Sequence, residues 1–151
     1  MSHAKIVIVT GAGTGVGNAA ALALLADGWQ VALIGRRLQL LEDVASSSHS
    51  PQSCLALSVD VADPDAVKNA FAKVISKWGR VDLLFNNAGV SAPGVPLEEL
   101  SIEQWRNVVD INLNGMFYCL QQAFVAMKAQ SPQGGRIINN GSISAYAPRP
   151  N

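Results

Sequence analysis

Residues 6–17 of the chain read IVIVTGAGTGVG, and this stretch decides the fold. Its first five residues form a continuous apolar run, which predicts a parallel strand covered on both faces. A glycine-rich turn follows, and small apolar residues then predict a helix. Glycines let the backbone turn tightly and let phosphate oxygens approach the main chain. Because a helix start also offers free N–H groups and a positive dipole end, the stretch predicts a site for the pyrophosphate of a dinucleotide.

The glycine turn departs from the strict G-x-G-x-x-G pattern, because Val16 stands where the third glycine is expected. It fits T-G-x-x-x-G-x-G instead. A glycine-rich turn alone is weak evidence for a nucleotide site and can be a bare structural turn. The strand before it and the helix after it favour cofactor binding. The residues predicted to bind the cofactor in this turn are Gly11, Gly13, Thr14, Gly15, Val16 and Gly17.

Strands and helices alternate along the rest of the chain. Apolar runs predict strands over residues 6–10, 30–35, 54–59, 81–85 and 136–139. Between them, helical periodicity and caps predict helices up to about residue 27, over 38–45, from the Asp63-Pro64 start to Gly79, and from the Ser101 cap to about residue 129. This order predicts a single Rossmann-type α/β domain over residues 1–151, with a doubly wound parallel sheet in three α/β/α layers.

The composition excludes several classes of partner. The 151 residues suit one domain, and a net charge of zero predicts neither nucleic acid nor an anionic membrane as partner. No apolar run approaches the roughly 20 residues of a membrane span. Without a signal-peptide pattern at the N-terminus, the expected location is the cytoplasm. Cys54 and Cys119 lack metal-ligand spacing, so we expect reduced core thiols and predict no metal site.

Polar or glycine-rich residues follow each predicted strand, at the sheet edge where ligands bind in such folds. The second strand ends in Gly35-Arg36-Arg37, with no acid where a free ribose 2′-hydroxyl usually meets Asp or Glu. Two guanidinium groups suit a 2′-phosphate through bidentate, charge-assisted hydrogen bonds. Arg36 and Arg37 therefore favour NADP over NAD, with a solvated basic pair at a helix start as the alternative.

The next strand ends leave more than one interpretation open. Asp60 could accept a hydrogen bond from an adenine amino group or cap the turn before Asp63. Residues 86–89, Asn-Asn-Ala-Gly, could form a plain turn, since Asn and Gly tolerate left-handed backbone. Ser142 could be an ordinary loop hydroxyl, and no His is placed to activate it as a nucleophile.

Asn112, Asn114 and Gly115 interrupt the longest predicted helix. Asn is mildly unfavourable in a helix because its amide competes for backbone hydrogen bonds. Such a local break marks either a kink or a functional site. A surface position is the favoured interpretation for Asn114, whereas both interpretations stay open for Asn112.

Taken together, these residues resemble the short-chain dehydrogenase/reductase family over the whole chain. The matching segments are residues 10–17, 60–61, 86–89, 110–115 and 137–142. The glycine turn followed by Asn-Asn-Ala-Gly after the fourth strand is a specific combination. The resemblance implies an oxidoreductase that moves hydride between NAD(P)(H) and a small-molecule carbonyl or secondary alcohol.

The resemblance also assigns roles to residues. In that family, the positions of the glycine turn hold the cofactor phosphates, and Arg36 would favour a 2′-phosphate. Asp60 and Val61 would contact the adenine. The residues that would line the adenosine ribose and steady the sheet are Asn87, Ala88 and Gly89.

The resemblance implies that Ser142 hydrogen-bonds the substrate oxygen and that Asn112 holds a water linked to a catalytic Lys. The family's Tyr-x-x-x-Lys motif would fall just past Asn151, and Tyr146 is no substitute because Pro150 stands four residues later. The favoured interpretation is the amino-terminal part of a longer enzyme, and a natural truncation is the alternative. We expect this chain alone to be inactive, and a longer protein to form dimers or tetramers through the long helix. A non-catalytic nucleotide-binding module or scaffold is the competing function.

Overall fold

The structure is a computed structural model that describes residues 4–147, so Pro150 and Asn151 lie outside the described residues. Five parallel strands form one sheet in the order β3-β2-β1-β4-β5. The strands are β1 Ile6–Thr10, β2 Gln30–Gly35, β3 Cys54–Ser58, β4 Leu83–Asn86 and β5 Arg136–Asn139. The chain therefore has the predicted doubly wound parallel sheet. After β3 the chain crosses back over β1, so that β4 and β5 are added on the other side of that strand.

Helices connect the strands and cover both faces of the sheet. They are α1 Gly15–Ala26, α2 Leu38–Ser47, α3 Pro64–Trp78, α4 Ile102–Val109 and α5 Met116–Ala129. Short 3₁₀ turns occur at Pro51–Ser53, Leu97–Glu99 and Ile143–Ala145. The sequence therefore predicts the type and order of these major elements correctly.

The longest predicted helix is divided into α4 and α5 by a π-helical segment, Asp110–Gly115. We refer to this segment as the π-turn. It lies where Asn112 and Gly115 predict an interruption, and π-helical turns of this kind occur mostly as short insertions in α-helices. The long-helix prediction is thus correct in extent, and the predicted interruption is present as the π-turn.

Smaller differences affect the ends of elements. β3 ends one residue early, and α2 runs two residues past the predicted Ala45. β4 begins at Leu83 rather than Val81. The side chain of Gln130 accepts a hydrogen bond from Val81 N–H at 2.9 Å and donates to Val81 C=O at 3.0 Å. Both polar backbone groups of Val81 are thereby bonded to a side chain instead of a neighbouring strand.

The core has two parts, one on each face of the sheet. Alternate residues of β1 and β2 pack with α3 and α5 on one face and with α1 and α2 on the other. Phe71 of α3 is buried in the first part, and Leu25 of α1 in the second. All five residues of β1 are buried, as a central parallel strand requires. The result is the predicted three-layer α/β/α arrangement, which brings the carboxyl ends of the strands to one edge.

Among residues 4–147, no helix is both long enough and apolar enough to cross a membrane.

The outer side of α4, the π-turn and α5 is rich in exposed apolar side chains, including Trp105, Leu113, Phe117 and Phe124. Within residues 4–147, strand β5 pairs with β4 alone, and Ile137 is its one half-buried residue. Apolar surface is therefore concentrated at this side of the molecule.

Candidate functional site

An open cleft lies at the carboxyl edge of the sheet. Nine of the predicted site residues line it, namely Gly11, Gly13, Thr14, Arg36, Arg37, Asp60, Val61, Ala88 and Gly89. The cleft is also lined by residues without a predicted role: Gly35, Leu40, Leu41, Val59, Val90 and Ile111. The predicted residues outside its lining are Gly15, Val16, Gly17, Asn87, Asn112 and Ser142.

The glycine turn allows an approach between backbones that a side chain would prevent. Gly11 has a φ of +67°, and a Cβ there would lie 3.0 Å from the Cα of Ala88. A Cβ on Gly17 would lie 2.2 Å from the carbonyl oxygen of Gly11. Since real Cβ atoms do not come this close to a carbonyl, the first turn of α1 can pack on the end of β1 only with glycine at position 17.

The first turn of α1 is not capped by its own sequence. Thr14 occupies the N-cap position with extended backbone, but its side chain makes no capping hydrogen bond. Gly15 has a φ of +55°, and a Cβ there would meet no atom within 4 Å. Val16 is 63% exposed. The N–H groups at a helix start need partners from outside the helix, and open space beside glycine suits an anionic diphosphate.

Thr10 joins the turn to the neighbouring strand. Its buried hydroxyl accepts hydrogen bonds from the N–H groups of Asn87 and Ala88, both at 2.9 Å. The Asn87 amide donates to the Thr10 carbonyl at 3.1 Å and accepts from Nδ2 of Asn140 at 2.9 Å. The ends of β1, β4 and the segment after β5 are therefore connected. Thr10 is the first residue of the T-G-x-x-x-G-x-G pattern, but nothing in that pattern predicts these hydrogen bonds.

Arg36 and Arg37 follow β2, and both side chains are exposed at the cleft. Among the residues that the structure describes, the ion pair present joins Arg80 to Asp82 at 2.7 Å and involves neither of these arginines. Arg37 occupies the N-cap position of α2 and makes no side-chain capping bond there. Two guanidinium groups thus border the cleft with no carboxylate partner among residues 4–147.

Asp60 lines the cleft but also stabilises its own loop. Its Oδ1 accepts a hydrogen bond from the N–H of Ala62 at 3.0 Å, which is the turn-capping interpretation of this residue. A ligand-binding role is compatible with that bond, because a carboxylate has a second oxygen and several acceptor sites. The next residue, Val61, is buried and packs against the π-turn.

The π-turn holds the segment that follows β4. Oδ1 of Asn112 accepts from Val90 N–H at 2.8 Å, and its Nδ2 donates to Val90 C=O at 2.8 Å. Asn114 instead donates to Asp110 at 2.9 Å within the same helical segment. The Asn112 side chain therefore orders one wall of the cleft, and its role toward a catalytic Lys stays a prediction.

Ser142 follows β5 and begins the short 3₁₀ turn Ile143–Ala145. Its hydroxyl oxygen accepts a hydrogen bond from the N–H of Ser144 at 3.1 Å. The side chain is exposed and lies outside the lining of the cleft. Tyr146 is 92% exposed. The structure therefore shows Ser142 as a capping hydroxyl, and its role toward a substrate stays a prediction.

The two cysteines are free thiols. Burial raises the pKa of Cys119 to about 12. Burial also raises the pKa of Cys54, and a hydrogen bond from Ser48 partly opposes that shift. Both thiols are therefore protonated near neutral pH, and a protonated thiol is a poor nucleophile. Within the described part of the chain, no group of three or more His, Cys, Asp or Glu side chains could hold a metal ion.

The chain is similar to known dehydrogenases along nearly its whole length. The sequence model of the family described as short chain dehydrogenase matches residues 5–151. The 3beta-hydroxysteroid dehydrogenase of Mediterraneibacter gnavus is 35% identical over 141 residues, which are 93% of this chain and 50% of that relative. The chain spans about half the length of the curated relatives it matches, at 50% to 60% for the first of them.

Solved structures share the fold and carry nicotinamide cofactors. The 3-ketoacyl-(acyl-carrier-protein) reductase of Brucella melitensis, complexed with NADH, has a TM-score of 0.92 and 29% identity, and the match covers 99% of this chain and 62% of that one. An ElxO variant with NADPH bound has a TM-score of 0.88 and 27% identity, with 97% and 59% covered. Neighbours of this fold therefore hold either form of the dinucleotide.

Proposed function

The chain belongs to the short chain dehydrogenase family, and from this premise we propose that it supplies the cofactor-binding part of an NADP-preferring oxidoreductase. The observation that carries the proposal is the uncapped first turn of α1. This turn is packed on β1 through Gly17, and its N-cap residue Thr14 lines a cleft bordered by two exposed arginines. These features suit a dinucleotide carrying a diphosphate and a second phosphate on its ribose.

Each part of the cofactor has candidate contacts. The diphosphate would be held by the turn made of Gly11, Gly13, Thr14, Gly15, Val16 and Gly17. The adenine would lie against Asp60 and Val61, and the adjoining ribose against Asn87, Ala88 and Gly89. When bound, the nicotinamide ring supplies the hydride acceptor or donor. The protein supplies position and electrostatics.

The preference for NADP over NAD rests on Arg36 and Arg37. Both guanidinium groups are exposed at the cleft and have no acidic partner among residues 4–147. An exposed arginine can reorient toward a phosphate at small cost, and its planar fork makes two parallel hydrogen bonds. An Asp or Glu in this position would favour the free 2′-hydroxyl of NAD instead.

We propose that Ser142 binds the oxygen of a small-molecule carbonyl or alcohol substrate and that Asn112 supports the proton path. For Ser142 this requires its hydroxyl to exchange the bond to Ser144 for one to substrate. The Tyr-x-x-x-Lys pair, which would move the proton in this family, is not in the sequence. The chain alone is therefore expected to turn over neither alcohols nor ketones. A role as a non-catalytic module has no observation in its favour.

We propose that the protein assembles into a dimer or tetramer through the side formed by α4, the π-turn and α5. We also propose that it acts in the cytoplasm. Leu113, Phe117, Phe124 and Val125 are each more than half exposed there. Covering such side chains would remove a large apolar area from water.

The test of the cofactor proposal is to compare NADPH and NADH affinities in the parent and in Arg36→Asp. Losing a charge-assisted contact and adding a carboxylate should weaken NADPH binding about tenfold or more and shift the preference toward NADH. Arg106→Asp, on α4 and outside the cleft lining, is the matched control and should bind like the parent. An unchanged preference in Arg36→Asp would remove this arginine from the proposal. Failure of the parent to bind either dinucleotide would remove the proposed function.

A further inference from the structure

The π-turn contacts both loops that form the walls of the cleft. Ile111 lines the cleft directly. Asn112 is hydrogen-bonded to both backbone groups of Val90, in the loop after β4. Gly115 lies against Val61, in the loop after β3. A single helical turn therefore sets the position of one loop on each side.

Gly115 lies so near the loop after β3 that a side chain would not fit between them. A Cβ on Gly115 would lie 2.8 Å from Cγ2 of Val61 and 3.0 Å from its carbonyl oxygen. It would also lie 3.1 Å from the carbonyl carbon of Val61. Because real Cβ atoms do not come within 3.0 Å of a neighbour, the separation of 2.8 Å would force atoms to move. The other two separations are to backbone atoms of Val61, which cannot move aside as the end of a flexible side chain can. Rotating the valine side chain would therefore relieve only part of the overlap.

Val61 has little room in which to shift. It is 7% exposed and packs in the core together with Val59, Val67 and Ile111. Close-packed interiors transmit such a displacement to neighbouring atoms instead of absorbing it. The atoms free to move are those of the exposed Asp60 side of the loop, which line the cleft. A side chain at position 115 would thus change the shape of this wall.

We propose that Gly115 is a positioning residue that sets the Asp60–Val61 wall at the adenine end of the dinucleotide site. The inference rests on the proposed function, since it assigns this wall to the adenylate half of the cofactor. Gly115 itself lies outside the lining of the cleft and acts only through Val61. Its absence of a side chain is what allows the π-turn to reach the loop.

Helix propensity alone predicts the opposite result for a substitution. Glycine within a helix is less favourable than alanine, because glycine loses more backbone entropy on folding. If Val61 did not contact position 115, Gly115→Ala would raise the melting temperature and leave binding unchanged. A lower melting temperature together with weaker binding therefore indicates a positioning role, whereas a higher melting temperature with unchanged binding indicates an incidental glycine.

The experiment uses the protein expressed from its complete reading frame, with Gly115→Ala, Val61→Ala and the double variant. Gly94→Ala is the matched control, because a Cβ at Gly94 would meet no atom within 4 Å. Affinities for NADPH and for 2′,5′-ADP are measured by titration calorimetry, at a temperature where circular dichroism shows each variant fully folded. The second probe carries only the adenylate half of the cofactor.

Gly115→Ala should weaken binding of both probes by about tenfold, because the loss is at the adenylate end. Gly94→Ala should bind like the parent. The double variant should bind more tightly than expected from adding the losses of binding free energy in the two single variants, since Val61→Ala removes the atom nearest to the new Cβ. Equal affinity of Gly115→Ala and the parent overturns the inference. So does a loss confined to NADPH.

Two further outcomes are distinguishable. If the parent binds neither probe, the proposed function fails and the inference with it. If Gly115→Ala does not fold, the double variant is compared with Val61→Ala alone. The remaining approach to the carbonyl of Val61 should still weaken 2′,5′-ADP binding about twofold or more. Equal affinities in that pair overturn the inference.

Discussion

The helices α1 and α3 begin in opposite ways. Asp63 caps α3, and its carboxylate accepts hydrogen bonds from Asp65 N–H at 2.9 Å and Ala66 N–H at 3.0 Å. Thr14 occupies the same position before α1, and its side chain caps nothing. A carboxylate at a helix start satisfies the free N–H groups and neutralises the dipole, so it also repels an anionic ligand. The chain therefore stabilises α3 internally and leaves α1 able to bind an anion.

The same difference between uncapped and capped starts separates α2 from α4. α2 also begins without a side-chain cap, and its N-cap residue Arg37 lines the cleft. α4 begins with a reciprocal capping box between Ser101 and Gln104. Among the helices that do not continue directly from a preceding helical segment, as α5 does, the two uncapped starts of α1 and α2 border the cleft, whereas neither capped start does. Capping thus distinguishes helix starts that serve folding alone from those available to a ligand.

The largest expected effect comes from closing the space under α1. In Gly17→Ala, the new Cβ would lie 2.2 Å from the Gly11 carbonyl oxygen, so the first turn must move away from β1. Overpacking of this kind should lower the free energy of unfolding by about 3 kcal/mol or more and abolish NADPH binding. Urea unfolding and calorimetric titration measure the two effects.

A matched alanine in open surroundings controls for the loss of a glycine. Gly94→Ala should change neither quantity, because its Cβ would meet no atom within 4 Å. Parent-like stability in Gly17→Ala would contradict the described packing of α1 on β1. Parent-like stability with lost binding would instead indicate a direct contact between position 17 and the cofactor.

The sequence predicts the caps of α3 and α4 but not the hydrogen bonds of Thr10. Asp63-Pro64 and Ser101 with Gln104 are local signals, and the caps they predict are present. The role of Thr10 could not be predicted, because its partner Asn87 is 77 residues away and nothing beside Thr10 indicates it. Local patterns therefore identify elements, caps and glycine turns.

The predicted site shows the same limit. Asn112 and Gly115 signal a break in the helix, but their partners Val90 and Val61 become known only once the sheet is assembled. The bond from Ser144 N–H to the Ser142 hydroxyl is local, yet a serine before a short turn does not distinguish a cap from a substrate contact. The roles of such residues depend on long-range neighbours, which single-sequence patterns do not contain.

An intermediate effect is expected from giving α1 the cap that α3 has. Thr14→Asp would place a carboxylate where it can accept from the first N–H groups of α1. The helix should gain about 0.5–1 kcal/mol in stability, since Asp is a better N-cap than an unbonded Thr. NADPH affinity should fall about tenfold or more, because the carboxylate competes with the diphosphate for the same donors.

Thermal unfolding and NADPH titration measure the two opposite changes in Thr14→Asp. Thr14→Asn is the control, because it can cap the helix without adding charge. It should retain more of the affinity than Thr14→Asp does. Unchanged NADPH affinity in Thr14→Asp would show that the start of α1 does not bind the cofactor phosphates.

The smallest expected effect comes from removing the cap of α3. Asp63→Ala leaves the N–H groups of Asp65 and Ala66 to water, and it should lower the free energy of unfolding by about 1 kcal/mol. Asp63→Asn should retain most of that stability, because an amide oxygen can accept the same bonds. NADPH affinity should stay within about twofold of the parent in both variants, since Asp63 lies outside the cleft lining. If Asp63→Ala weakened NADPH binding as strongly as Thr14→Asp, the two helix starts would be energetically coupled. The separation between a start that stabilises the fold and one that binds the ligand would then be wrong.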